Sequence, residues 1–66
     1  KTNFYKFINK FRVEKFKRLV ESGDASKYTI MGLAHKAGFN SKSSFYEAFK
    51  LIEGTTPLQY LKNLES

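Results

Sequence analysis

The four glycines and one proline of this 66-residue sequence divide it into runs whose apolar residues recur at helical spacing, with no alternating pattern of the kind a strand needs. No internal repeat or low-complexity tract is present, and the chain reads as all-α. The run from Asn3 to Ser22 has no Gly or Pro and ends where Gly23 supplies a stop, which predicts one long helix. Gly23, Asp24 and Ser26 then form a turn-rich connector. Thr29 is a good N-cap for a second helix, with Tyr28 before it and Leu33 after it placed as a hydrophobic staple. Ile30, Leu33, Ala34 and Ala37 make its inner face, and Gly32 weakens it, so tertiary packing must hold it. Gly38 is the residue type that ends a helix in the left-handed conformation, after which Phe39 returns to the core. Asn40 or Ser41 caps a third helix over Ser41 to Glu53, whose Phe45, Ala48, Phe49 and Ile52 follow an i, i+3, i+4, i+7 stripe. Gly54 closes it. Thr56, Pro57, Leu58 and Gln59 read as a capping box with proline at the first helical position, and Tyr60, Leu61 and Leu64 give the last helix its apolar contacts.

A chain of this size holds one domain and buries only about 60% of the surface its unfolded form exposes, so large clefts and multidomain enzymes are excluded. Cysteine is absent, which removes disulfides, thiolate metal sites and cysteine nucleophiles together. No apolar run approaches the ~20 residues of a membrane span, and the start has no signal-peptide pattern. The sequence thus predicts a soluble piece, and Lys1 in place of Met fits a fragment cut from a longer protein.

The net charge of +6 argues for an anionic partner, with nucleic acid the commonest case and a membrane surface or acidic protein behind it. The surplus is localised. Lys1, Lys6, Lys10, Arg12, Lys15, Lys17 and Arg18 stand before Leu19 with Glu14 as the one acid, whereas five lysines balance five acids afterwards. On the first helix Lys6, Lys10 and Lys17 share a narrow arc, Phe4, Phe7, Ile8 and Phe11 fill one apolar sector, and Phe16, Leu19 and Val20 fill a second. That breadth has two readings: a buried central helix, or an early aromatic sector that packs against a part of the protein outside this sequence.

A capped helix, a short turn containing Gly and a second helix with a clean inner face match the helix-turn-helix, with Ala34 and Gly38 where close crossing and the turn need small residues. Any compact three-helix protein also contains such a pair. In a helix-turn-helix the outward N-terminal residues of the second helix meet base edges in the major groove. Here these are Lys42, Ser43, Tyr46 and Glu47.

The run Gly38, Phe39, Asn40, Ser41, Lys42, Ser43, Ser44, Phe45, followed by Phe49, Lys50, Gly54, Thr56, Pro57 and Tyr60, resembles the C-terminal signature of AraC-type bacterial transcription regulators. Upstream, Ile8, Asn9, Lys10, Phe11, Arg12 and Val13 resemble the helix that links the two helix-turn-helices of that family. The resemblance implies a homeodomain-like three-helix module at 29–64 preceded by a linking helix at 3–22, together a single-domain fragment over 1–66. It implies that an N-terminal helix-turn-helix and a sensory domain belong to the parent, that the former covers Phe4, Phe7, Ile8 and Phe11, and that RNA polymerase is a further partner. A cytoplasmic location is implied, with a membrane-anchored parent as a variant. Three departures share a sign: Glu47, Leu51 and Leu61 stand where relatives carry basic residues, each removing a phosphate or base contact.

Lys42, Ser43, Tyr46 and Glu47 are therefore the candidates for base edges, with Glu47 able to accept from a cytosine amino group or to repel the polyanion. Thr29, Ser41, Ser44, Lys50 and Thr56 are candidates for phosphate, because helix N-termini attract anions, and Lys10 and Arg12 are further backbone candidates. Each is equally readable as a solvated surface residue. His35 reads as a solvent-facing helix residue with no second ligand at metal-binding spacing, and no catalytic set or cofactor motif is visible. Two functions from different classes follow. The first is sequence-specific binding of double-stranded DNA within a bacterial transcription regulator. The second is a degenerate helix-turn-helix serving as a protein-interaction module, motivated by Glu47, Leu51 and Leu61. A membrane-surface role for the first helix fits Lys6, Lys10 and Lys17 but leaves the capped elements downstream unexplained. If the early aromatic sector is uncovered, Phe4, Phe7, Ile8 and Phe11 should drive self-association.

Overall fold

In the computed structural model, which describes residues 2–23 and 27–65, the helices run in the order α1 (Thr2–Glu21), α2 (Ile30–Ala37), α3 (Lys42–Glu53) and α4 (Pro57–Glu65). Among the described residues there is no strand, and the fold is all-α. α1 closes as its sequence dictates. Ser22 N–H donates to the Arg18 carbonyl at 2.9 Å, Gly23 N–H to that of Val20 at 3.2 Å, and Gly23 takes a φ of 96°. Asp24 and Ser26 of the expected connector lie outside the described residues.

The centre of the fold is aromatic. Phe16 of α1 meets Phe45 and Phe49 of α3 at ring-centroid distances of 4.9 and 5.6 Å, and Phe39 from the turn meets Phe45 at 5.3 Å. All four rings are fully buried, with Val13, Leu33 and Pro57 beside them. Tilted and edge-on ring pairs contribute about 0.5–1.5 kcal/mol each beyond the area they bury. α1 packs across both α2 and α3, and α4 rests on α3 through Phe49 and Tyr60, whose centroids are 5.4 Å apart. Tyr60 and Leu61 are half-buried against the core, but Leu64 is exposed, contrary to expectation. It stands a turn beyond Tyr60, past the end of the contact with Phe49.

The two apolar sectors of α1 separate cleanly. Val13, Phe16 and Val20 are buried, with Leu19 half-buried at their edge, so the inner sector takes in Val13 as well as Phe16, Leu19 and Val20. Phe4, Phe7 and Phe11 are 62–69% exposed and Ile8 is half-buried, so the N-terminal half of α1 is not a buried central helix in this chain.

The last helix corrects a further detail. Thr56 Oγ1 accepts from Gln59 N–H at 3.1 Å, which is half of a capping box; the Gln59 amide instead donates forward to Asn63 Oδ1 at 3.0 Å. An i, i+4 partner of matching polarity competes with the return bond to the cap.

Candidate nucleic-acid interface

The α2–turn–α3 unit is fixed at each junction by a local hydrogen bond. Thr29 Oγ1 accepts from Gly32 N–H at 3.0 Å, and a Cβ on Gly32 would lie only 3.3 Å from that oxygen, so the glycine that weakens the helix also gives the cap its room. At the other end Gly38 N–H donates to His35 and Phe39 N–H to Ala34, both at 3.0 Å, with Gly38 at φ 112°. That pair of bonds is a Schellman motif, which turns the chain sharply and sends Phe39 inward. Of the two residues able to cap α3, Ser41 does so, accepting from Ser44 N–H at 3.2 Å. Leu33 is buried in the core, and the half-exposed Tyr28 ring lies 4.9 Å from Lys36 Nζ.

Arg12 braces the turn from below. A Cβ on Gly38 would approach its Nε to 3.3 Å, and its guanidinium carbon lies 5.9 Å from the centre of the Phe39 ring. The left-handed φ of 112° is what calls for Gly here, and its missing Cβ leaves the Arg12 side chain close room beneath the turn. Arg12 is half-buried, unlike the exposed Lys10.

On the outer side of α3, Lys42, Ser43, Ser44, Glu47 and Lys50 are exposed, and Tyr46 is half-buried. The Tyr46 ring stands edge-on to Phe45 at 5.5 Å, anchoring it to the core, and Lys42 Nζ sits 5.6 Å from the centre of the Tyr46 ring. The candidates for base edges thus share one surface. The phosphate candidates do not form a single cluster with them. Thr29 and Ser41 mark the starts of α2 and α3, whereas Thr56 lies past the far end of α3, a helix of 12 residues and hence about 18 Å long. Each of these hydroxyls accepts a helix N–H and keeps its own O–H to donate. Lys10 joins Lys6 at a shallow groove between α1 and α3 whose wall includes Ala48, Leu51 and Ile52; Leu51 is 76% exposed.

One contact has no sequence signal. Lys17 Nζ donates to Glu53 Oε2 at 3.1 Å, across 36 residues, and lies 3.9 Å from Glu14 Oε2. The Glu53 hydrogen bond raises the Lys17 pKa above its ordinary value despite partial burial, and burial raises that of Tyr60 nearby, against the opposing charge of Lys17. Lys17 shares an arc with Lys6 and Lys10 in the sequence, yet it is a cross-helix tie, whereas both of those are exposed. No periodicity rule links position 17 to 53; the pairing follows from how α1 crosses α3.

Among the described residues no group of His, Cys, Asp and Glu is placed to hold a metal ion, His35 is exposed, and no helix is long and apolar enough to cross a membrane. No curated protein and no solved structure gives a significant match to the chain. Residues 1–63 match the family model described as a helix-turn-helix domain, and this span takes in both α1 and the tightly capped α2–turn–α3 unit. With that match over nearly its whole length, the chain belongs to the AraC-type helix-turn-helix family, a family of DNA-binding rather than enzymatic domains.

Proposed function

We propose that this chain reads double-stranded DNA sequence-specifically as part of a bacterial transcription regulator. The observation that carries the reading is the outer face of α3. Its N-terminal half presents Lys42, Ser43, Tyr46 and Glu47 together, on a helix seated by Phe45 and Phe49, and this is the part of a helix-turn-helix that reaches base edges. Ser44, Lys50, Thr29, Ser41, Thr56 and Lys10 supply backbone contacts, and Arg12 holds the turn while adding positive charge beneath it. On this reading, residues 3–22 are a linking helix, 29–64 the reading module, and 1–66 one domain of a longer cytoplasmic regulator that also engages RNA polymerase and has no catalytic role.

The exposed Phe4, Phe7 and Phe11 support a seat for a preceding helix-turn-helix of the same protein. Without that cover, a second copy of the chain takes its place, and sedimentation then shows a concentration-dependent dimer that substitution of the three phenylalanines by serine abolishes.

Binding to duplex DNA tests the main reading. The logarithm of affinity should fall linearly with the logarithm of salt, with a slope of about 0.9 for each phosphate neutralised. A flat salt dependence sinks it. The exposed Leu51 favours a second reading, a protein-interaction surface built on the same helices; Leu61 gives that reading less support, since its side chain packs against the core. If it is correct, Glu47→Arg weakens partner binding and improves DNA binding.

A further inference from the structure

The outer face of α3 carries three exposed charges, Lys42, Glu47 and Lys50, and the two of opposite sign at its flanks, Lys42 and Glu47, are not neutralised within the described residues. Lys42 and Glu47 take part in no ion pair there, although Lys50 stands one turn from Glu47. Glu47 follows Lys42 by five positions, about 7.5 Å along the helix axis. At about 100° per residue they stand on the two flanks of the outer face, with Ser43, Tyr46 and Lys50 between them.

Their hydrogen-bonding capacities are opposite and incomplete. A lysine ammonium only donates, and an ionised carboxylate only accepts. In the major groove guanine offers two acceptors, O6 and N7, and suits a donor-only group. Adenine places an acceptor, N7, beside its amino donor, whereas cytosine offers the amino donor with no acceptor of its own, so a carboxylate discriminates between them in favour of cytosine. No Asn, Gln or Arg, the side chains that make paired hydrogen bonds to adenine or guanine, occurs anywhere in α3. Lys42 is also positioned. Its ammonium lies over Tyr46, and Tyr46 stands against Phe45, which is fully buried.

We infer that Glu47 and Lys42 are the specificity-determining residues of this module: Glu47 accepts from a cytosine amino group, and Lys42 donates to a guanine nearby in the same site, so that the chain selects G·C pairs. Tyr46 is a positioning residue that acts through Lys42. The inference rests on α3 being the reading helix, and it turns Glu47 from a mere loss of positive charge into a source of selectivity.

The test is selection of bound duplexes from a random-sequence pool by the chain itself and by its Glu47→Gln, Glu47→Ala, Lys42→Met and Tyr46→Leu variants, with far-UV circular dichroism confirming helix content. The wild type should enrich a cytosine at one position and a guanine nearby, each preferred by about tenfold or more. Glu47→Gln should move the cytosine position to adenine, because an amide matches adenine N6 and N7. Glu47→Ala should erase the preference there and leave the guanine intact. Lys42→Met should erase only the guanine preference, and Tyr46→Leu should weaken it with the cytosine unaffected. Enriched sequences that stay unchanged in Glu47→Ala and Glu47→Gln, or that bind more tightly in both without any positional change, overturn the assignment while leaving α3 as the reader. Failure of the wild type to enrich any sequence overturns sequence-specific reading and this assignment with it.

Discussion

The two halves of α1 are made of similar residues and end in opposite environments. Phe4, Phe7 and Phe11 are 62–69% exposed, whereas Phe16 is completely buried beside Val13. Hydrophobicity does not separate them; helical phase does. Val13, Phe16 and Val20 repeat along the side of α1 that crosses α2 and α3, while the earlier phenylalanines lie around the helix on a side left mostly exposed. Strength of the apolar signal thus shows that a face needs cover, and only its phase relative to the capped helix pair shows what covers it.

The largest expected effect tests that contrast directly. Phe16→Ala should cost about 3–5 kcal/mol, the usual range for truncating a buried phenylalanine. Small domains hold only about 0.05–0.15 kcal/mol per residue in total, so this variant should lose most or all of its cooperative unfolding transition in urea. Phe7→Ala should change stability by no more than about 0.5 kcal/mol. A loss from Phe7→Ala comparable to that from Phe16→Ala, and growing with protein concentration, would break the comparison, because the outer sector would then be buried between copies in solution.

A smaller effect sharpens the role of the inner half. Gly38 and Gly54 both end helices at positive φ, 112° and 79°, but a Cβ at Gly54 meets nothing within 4 Å while one at Gly38 meets Arg12. Left-handed backbone costs a residue with a Cβ about 1–2 kcal/mol. Gly54→Ala should lower stability by that amount alone, and Gly38→Ala by slightly more, since the Arg12 side chain must also give by a few tenths of an ångström. Urea midpoints with unchanged slopes would measure both. Equal losses would show that α1 yields freely beneath the turn.

Much of this fold was legible because its decisive instructions are local. Thr29, Gly38, Ser41, Gly54 and Thr56 act on backbone groups only a few residues away, and each does so in the structure. The inward stripe of α3 was readable for the same reason, as was the grouping of Lys42, Ser43, Tyr46 and Glu47 on one face. Contacts between helices were not readable. Arg12 against Gly38 and Phe39, and Lys17 on Glu53, depend on the angle at which α1 crosses the other helices, and that angle is set by the packing of Phe16 against Phe45 and Phe49. Charge counting placed Lys17 among the free bases of the first helix, but it is committed to Glu53.

That commitment yields the smallest effect and the finest test of how the buried half of α1 is held. Lys17→Met keeps most of the aliphatic stem and removes the ammonium, which should cost about 1 kcal/mol for a partly exposed pair. The pH dependence has a definite sign. The folded-state pKa of Lys17 is raised above its ordinary 10.5, first by the hydrogen bond to Glu53. The stabilisation is therefore fully present below the unfolded-state value and is lost only as pH rises through the folded-state one. Urea unfolding of the two proteins side by side should show a constant gap from pH 7 to pH 9, closing as the solution is taken past 10.5. A gap of zero at pH 7 would mean that Val13 and Phe16 hold α1 across α3 unaided, and that the tie to Glu53 follows the crossing angle without helping to set it.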